Sequence, residues 1–122
     1  MVKILLVEDD DIVSKVATWR LEKLGYEVCG RATNSSDAVN LAMQHHPDLV
    51  LMDIKISGAS DGIATAKVLK KTLNVPIVYL TSQTDDDTIA RAAETQPAGF
   101  IAKPFEDKDL KIAIEVALRK KM

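Results

Sequence analysis

The sequence predicts a doubly wound α/β fold in which five parallel strands alternate with five helices. Strand-length apolar runs and helix-period patterns alternate from one end of the chain to the other, the mark of βα units built around a parallel sheet. The runs Ile4-Leu5-Leu6-Val7, Leu49-Val50-Leu51-Met52 and Ile77-Val78-Tyr79-Leu80 are continuously apolar. Strands of that kind are buried on both faces. Each run also ends in polar residues: Glu8-Asp9-Asp10, Asp53, Thr81-Ser82, and Lys103-Pro104 after Gly99-Phe100-Ile101-Ala102. In parallel strands those groups converge on one edge of the sheet.

The elements follow in order. Lys3 to Val7 is the first strand. Asp10 or Asp11 can cap a helix whose apolar stripe is Val13, Val16, Ala17, Leu21 and Leu24, with Gly25 as its stop signal. Trp19, beside that stripe, is expected to be partial core. Tyr26 to Thr33 reads as the second strand, and Asn34-Ser35-Ser36 opens a helix carrying Ala38, Leu41 and Ala42 that Pro47 ends. Asp48 to Met52 is the third strand. A loop over Lys55 to Ser60 leads to Asp61, which caps a helix with Ile63, Ala66 and Leu69 to Leu73 on its apolar side. The fourth strand follows Pro76. Asp85-Asp86-Asp87 sets acids at the next helix N-terminus, where the backbone dipole favours them. Gln96-Pro97 ends that helix, and the fifth strand follows. The last helix begins near Glu106, with Leu110, Ala113, Ile114, Ala117 and Leu118 in register.

The chain has 122 residues, a length suited to one domain over 1–122 with a core that requires no disulfide or structural metal. Hydrophobic residues make up 47%, which excludes a disordered chain. The net charge of −2 argues against direct nucleic-acid binding, which needs a basic stripe. No apolar segment approaches the roughly 20 residues that span a membrane, and charged residues interrupt the first run too early for a signal peptide. The single cysteine, Cys29, cannot form an internal disulfide; it reads as a small packed residue in a cytoplasmic protein. His45 and His46 point roughly 100° apart on a helix and cannot share one ion.

Ligands of open α/β sheets bind beyond the carboxyl ends of the strands, where strand order reverses. In a 2-1-3-4-5 order the first and third strands flank that point, bringing Glu8, Asp9 and Asp53 together. Like charges about 4 Å apart cost about 4 kcal/mol at an effective dielectric near 20. A hard divalent cation relieves the conflict, and Mg²⁺ suits a few carboxylates with waters and a phosphate. Asp53 is then the candidate nucleophile, able to carry a phosphoryl group as an acyl phosphate. Lys103, and Thr81 with a nearby backbone N–H, would meet the remaining phosphoryl oxygens.

These residues resemble the receiver (response-regulator) domain of two-component signalling, the chemotaxis-regulator type with a flavodoxin-like (βα)5 sandwich. The resemblance covers essentially the whole chain and rests on Val7-Glu8-Asp9-Asp10, Leu51-Met52-Asp53-Ile54, Asp61-Gly62, Leu80-Thr81-Ser82 and Lys103-Pro104-Phe105. It implies that Asp53 is the phosphoacceptor, that Asp9 binds Mg²⁺ directly, that Glu8 acts through a bound water, and that the Lys55 carbonyl is a further ligand. It also implies that Lys103 pairs with the phosphoryl across a cis bond to Pro104. Thr81 and Phe100 would form a switch pair, with Ser82, Lys55 and Gln83 near the phosphoryl. The implied partners are a sensor histidine kinase or phosphotransfer protein, and a downstream protein at the fourth helix, fifth strand and fifth helix. A homodimer is a further possible partner; a membrane is not expected as one.

Two departures from the family pattern stand out. Ile54-Lys55-Ile56-Ser57-Gly58-Ala59-Ser60 is one residue longer than usual before Asp61-Gly62 and lacks the common Met-Pro pair. Ser57-Gly58 there relaxes the backbone restraint a proline would impose. Glu8 stands where aspartate is more usual. A small Mg²⁺-dependent phosphatase with an aspartyl nucleophile is the rival enzyme reading, but position 55 is Lys where a second acid is needed. A phosphorylation-dead binding module is the other rival, and the complete acidic set with Thr81 and Lys103 argues against it. A flavin-binding electron carrier shares the layering, but this chain lacks a phosphate-cradling loop after the first strand. The chain is thus expected to catalyse only its own phosphorylation and slow dephosphorylation.

Overall fold

The computed structural model describes residues 1–56, 58, 61–82 and 86–120. Five βα units follow one another: β1 (Lys3–Val7), α1 (Asp11–Lys23), β2 (Glu27–Ala32), α2 (Ser35–His45), β3 (Leu49–Asp53), α3 (Gly62–Leu73), β4 (Ile77–Thr81), α4 (Asp86–Glu94), β5 (Gly99–Ala102) and α5 (Asp107–Lys120). All the strands pair in parallel, in the order β2-β1-β3-β4-β5. The reversal of strand order falls between β1 and β3, as expected.

Burial explains the continuous apolar runs. Every residue of Ile4–Val7, Leu49–Met52 and Ile77–Leu80 is fully buried. Alternate side chains feed two cores, one on each face. Leu5, Val7, Val50, Met52, Ile77 and Tyr79 pack with Ile63, Ala66 and Leu69 of α3 and Ala92 of α4. Ile4, Leu6, Leu49, Leu51, Val78 and Leu80 pack with Leu21 of α1 and with Leu110 and Ile114 of α5. Fully burying one such side chain contributes about 1.5–3 kcal/mol before entropy is counted, so the sheet interior dominates stability.

The helix ends are closed by local chemistry. Asp10 Oδ1 accepts the N–H groups of Ile12 and Val13 at 2.9 and 3.0 Å. At the other end of α1, Gly25 takes φ +96°, the Gly25 N–H donates to the Glu22 carbonyl, and the Tyr26 N–H donates to the Leu21 carbonyl. That pair of bonds needs a left-handed residue at Gly25, which a side chain would penalise. Asn34 and Asp61 cap α2 and α3 by accepting the N–H of Asp37 and Ala64, each at 2.9 Å. The last helix begins at Asp107, in keeping with the expected start near Glu106, whose N–H donates to Asp109 Oδ2 at 2.8 Å.

Two expectations are corrected. Trp19 is 61% exposed, with the Lys23 ammonium 4.4 Å from its ring centre. It lies two residues from both Ala17 and Leu21, roughly 200° around the helix from each, and so faces away from the sheet. Val16 is also exposed, and Ser14 is buried in the stripe instead, its hydroxyl donating to the Asp11 carbonyl. Cys29 meets its expectation. It packs against the α2–α3 core at a bulge where β1 pairs Ile4 with Val28 and then Leu5 with Gly30. His46 closes α2 in a left-handed conformation.

Inside the sheet, the Tyr79 hydroxyl lies 2.7 Å from Thr95 Oγ1, and Thr95 donates its only hydroxyl proton to the Ala92 carbonyl at 2.6 Å. The Tyr79 hydroxyl is therefore the donor, and it ties the C-terminal end of α4 to β4. At the opposite end of the sheet, Gly62 approaches β3 very closely. A Cβ at Gly62 would stand 2.0 Å from the Asp53 carbonyl oxygen, and the Gly62 N–H donates to the Ile54 carbonyl at 2.7 Å. Gly62→Ala must push α3 off the end of β3. It is expected to cost about 1–3 kcal/mol, measured as a lowered midpoint in urea unfolding, and an unchanged midpoint would contradict this contact.

Candidate phosphoryl and metal site

The carboxyl ends of four strands supply the site. Glu8 and Asp9 follow β1, Asp53 is the last residue of β3, Thr81 the last of β4, and Lys103 follows β5. Strand register brings them level: Val7 pairs with Met52, Leu80 with Asp53, and Thr81 with Ala102. Carboxylate oxygens of Glu8, Asp9 and Asp53 lie within 4.8 Å of one another. Together with Asp10, Val13, Lys55, Ser82 and Lys103 they line an open cavity of about 350 Å³.

The Lys103 ammonium binds two of these acids, donating to Glu8 Oε1 at 2.6 Å and to Asp53 Oδ2 at 3.0 Å. The other Asp53 oxygen, Oδ1, accepts the Lys55 N–H at 3.2 Å. Glu8 is almost fully buried, and its Oε2 accepts the Asp10 N–H at 3.2 Å. Burial pushes the Glu8 carboxyl above its ordinary value and Asp53 adds to the rise, while the Lys103 amine pulls the other way. For Lys103 burial favours the neutral amine, but the Glu8 and Asp53 carboxylates outweigh it and hold the group above the ordinary lysine range. The lysine is charged throughout physiological pH.

The donor set consists of hard carboxylate oxygens, with no thiolate or imidazole in the cluster. That chemistry fits Mg²⁺ or a similar hard cation. The longer side chain of Glu8 has a visible use, since its carboxylate reaches across to Lys103.

The remaining expected residues are placed as follows. The Lys103-Pro104 bond is cis, and the Lys103 N–H donates to the Thr81 carbonyl at 3.0 Å. Thr81 is buried at the end of β4, and the next residue, Ser82, forms the cavity wall. Phe100 is 40% exposed on β5, directly across from Tyr79, with ring centres 5.6 Å apart. Tyr79 and Thr81 lie two positions apart and so point to the same face. Gln83 and Ser57 lie outside the described residues. Gly58 has φ +99°, in keeping with the backbone freedom expected of that loop. Arg31, which no motif signalled, donates from Nε to the Glu8 carbonyl at 3.0 Å and from Nη1 to Asp11 Oδ1 at 2.8 Å.

Comparison with known proteins agrees with this fold. The family model of the response regulator receiver domain matches residues 4–115. The transcriptional regulatory protein PdtaR of Mycobacterium tuberculosis is 36% identical over 116 residues, covering 95% of this chain and 56% of that protein. The phosphate regulon transcriptional regulatory protein PhoB of Pseudomonas aeruginosa is 32% identical over 120 residues, covering 96% and 52%. The chain thus spans about half the length of the curated relatives it matches. Among solved structures, the signal receiver domain of a modulated diguanylate cyclase from Desulfovibrio desulfuricans superposes with TM-score 0.93 at 39% identity, covering 98% of this chain and 94% of that one. The BeF3-activated N-terminal receiver domain of RstA from Klebsiella pneumoniae gives TM-score 0.87 at 30% identity, covering 96% and 98%. With nearly its whole length matched and its acids gathered where the strand order reverses, this chain belongs to the response regulator receiver domain family.

Proposed function

We propose that residues 1–122 form one phosphoacceptor switch, in which Asp53 accepts a phosphoryl group from the phosphohistidine of a partner kinase or phosphotransfer protein. The observation that carries this reading is the Asp53 carboxylate itself. One oxygen is held by the Lys103 ammonium and the other by the Lys55 N–H, beside two further carboxylates in an open cavity. An Asp53 oxygen attacks phosphorus, the bond from phosphorus to the donor imidazole nitrogen breaks, and that nitrogen keeps the electron pair. Positioning and charge do most of the work in such transfers.

Receiver domains bind Mg²⁺ through acidic residues; here Glu8, Asp9, Asp53 and the Lys55 carbonyl would hold the ion, which when bound offsets negative charge on the transferred group. Lys103 would move from its two carboxylates toward the phosphoryl, and Thr81 would supply a hydroxyl. Phe100 would then turn from its exposed position toward the space beside Thr81. That movement biases the α4–β5–α5 surface between two forms, one of which a downstream protein recognises. Exposed Phe100, Ile112 and Val116 lie on this surface, which suits either a downstream partner or a second copy. Among the described residues no helix is long and apolar enough to cross a membrane. The net charge of −2 supports contact with proteins rather than nucleic acid.

Incubation with acetyl phosphate and Mg²⁺, followed by intact mass measurement, is expected to show one added phosphoryl group that Asp53→Asn abolishes. Steady turnover of a phosphomonoester without a stable adduct would favour a phosphatase instead. Lys103 shares Glu8 and Asp53 with the cation, so Lys103→Met should tighten Mg²⁺ binding by about tenfold, roughly 1.4 kcal/mol, while slowing phosphorylation. Calorimetric titration with MgCl₂ reads the first effect and phosphoryl uptake the second. Lys55 lines the cavity, and its side chain would screen the acyl phosphate from water. Lys55→Ala is expected to hasten loss of the phosphoryl group severalfold, followed by mass after removal of the donor; an unchanged decay rate would exclude that role.

A further inference from the structure

We propose that Arg31 is a positioning residue for Asp9, holding the peptide plane between Glu8 and Asp9 so that the carboxylate cluster is set to receive a divalent cation. The inference rests on reading the cluster as the Mg²⁺ site, and it concerns a residue of β2, outside every motif that marks the site.

The segment that turns from β1 into α1 must place Asp9 between two fixed neighbours. Glu8 is one residue beyond the β1–β2 ladder, yet both of its backbone groups are held by β2. Its N–H donates to the Ala32 carbonyl at 2.9 Å, and its carbonyl accepts Arg31 Nε at 3.0 Å. That carbonyl belongs to the peptide unit leading directly into the Asp9 Cα, so its direction helps set where the Asp9 side chain departs. On the far side of Asp9, the Asp10 N–H is held by Glu8 Oε2, and the Asp10 carboxylate caps α1. Arg31 also reaches Asp11 in the first turn of α1 with Nη1 at 2.8 Å. One guanidinium thus fastens the start of the turn to its end, across the residue whose carboxylate must face Asp53.

A simple surface ion pair does not account for this arrangement. An exposed pair such as Arg31 with Asp11 contributes little by itself, and charge alone would not require Nε to be aimed at a carbonyl. Placing a guanidinium beside a cation site also opposes cation binding electrostatically. The two roles therefore predict opposite signs. If Arg31 acted only through its charge, removing it would tighten Mg²⁺ binding. If it holds the turn, removing it weakens binding, in the way that loss of an outer hydrogen-bonding partner weakens other metal sites by about 10–100-fold.

The test is calorimetric titration of the whole chain with MgCl₂, without a phosphodonor, for wild type, Arg31→Met and Arg31→Lys. Both variants are expected to raise the dissociation constant by about tenfold. The lysine keeps the charge but cannot span a carbonyl and a carboxylate with a planar fork. With acetyl phosphate, the Mg²⁺ concentration for half-maximal phosphorylation should rise by the same factor, while the rate at saturating Mg²⁺ is retained. General damage to the fold would lower that rate as well. An unchanged or smaller dissociation constant in Arg31→Met overturns the proposal. Should that variant fail to fold, an unchanged constant in Arg31→Lys overturns it equally. A wild-type chain that takes up no divalent cation would sink the metal reading itself, and that outcome is distinct from one in which wild type binds and the variants bind equally well.

Discussion

At the edge of the sheet one ammonium group stands between two buried acids. Glu8 follows β1 and Asp53 ends the adjacent β3, and both have little access to water. Without Lys103 they would face each other as like charges in a poorly solvated place, an arrangement that proteins avoid or neutralise. Lys103 reaches both from the opposite side of the site, which requires β5 to sit beyond β4 and its terminal turn to be aimed inward. The parallel order and the close seat of α3 on Gly62 serve the same end, since each fixes where one of the three groups can stand.

This dependence links stability to chemistry. The carboxylate cluster is already satisfied internally by a lysine, and on the proposed reading the same lysine would be available to meet a new negative charge. The site would then exchange partners within a prebuilt frame instead of assembling on demand. Phosphoryl transfer to Asp53 would change which carboxylates and phosphoryl oxygens compete for Lys103, and that competition would be felt at β4 and β5, where Thr81, Tyr79 and Phe100 share one face.

Much of this was legible in the sequence because the strands are short and buried on both sides. Their apolar runs could not be confused with amphipathic helices, and each ended at the polar residue that the site uses. Asp10, Asn34, Asp61 and Gly25 marked their helix ends through local hydrogen bonding, which spacing alone reveals. Trp19 and Val16 were harder to place, because a wide apolar stripe on a helix does not say which of its edges meets the sheet. Arg31 was invisible for a different reason. Its contacts join β2 to the β1–α1 turn across 20 and 23 positions of sequence, and an arginine in an edge strand looks like ordinary solvation until those neighbours are in place. The hydroxyl chain from Tyr79 through Thr95 is hidden in the same way, since a strand tyrosine reads as core.

The bulge at Cys29 has a consequence for the exposed flank of the sheet. β2 is an edge strand, and its outer row of amides and carbonyls is a template on which a foreign strand could build. One extra residue in the ladder breaks the even spacing of that row and twists it locally, and Glu27 and Arg31 add charge at either end. A polypeptide laid along this flank would lose register after a few residues. The backbone of this flank is therefore a poor template for cross-β growth.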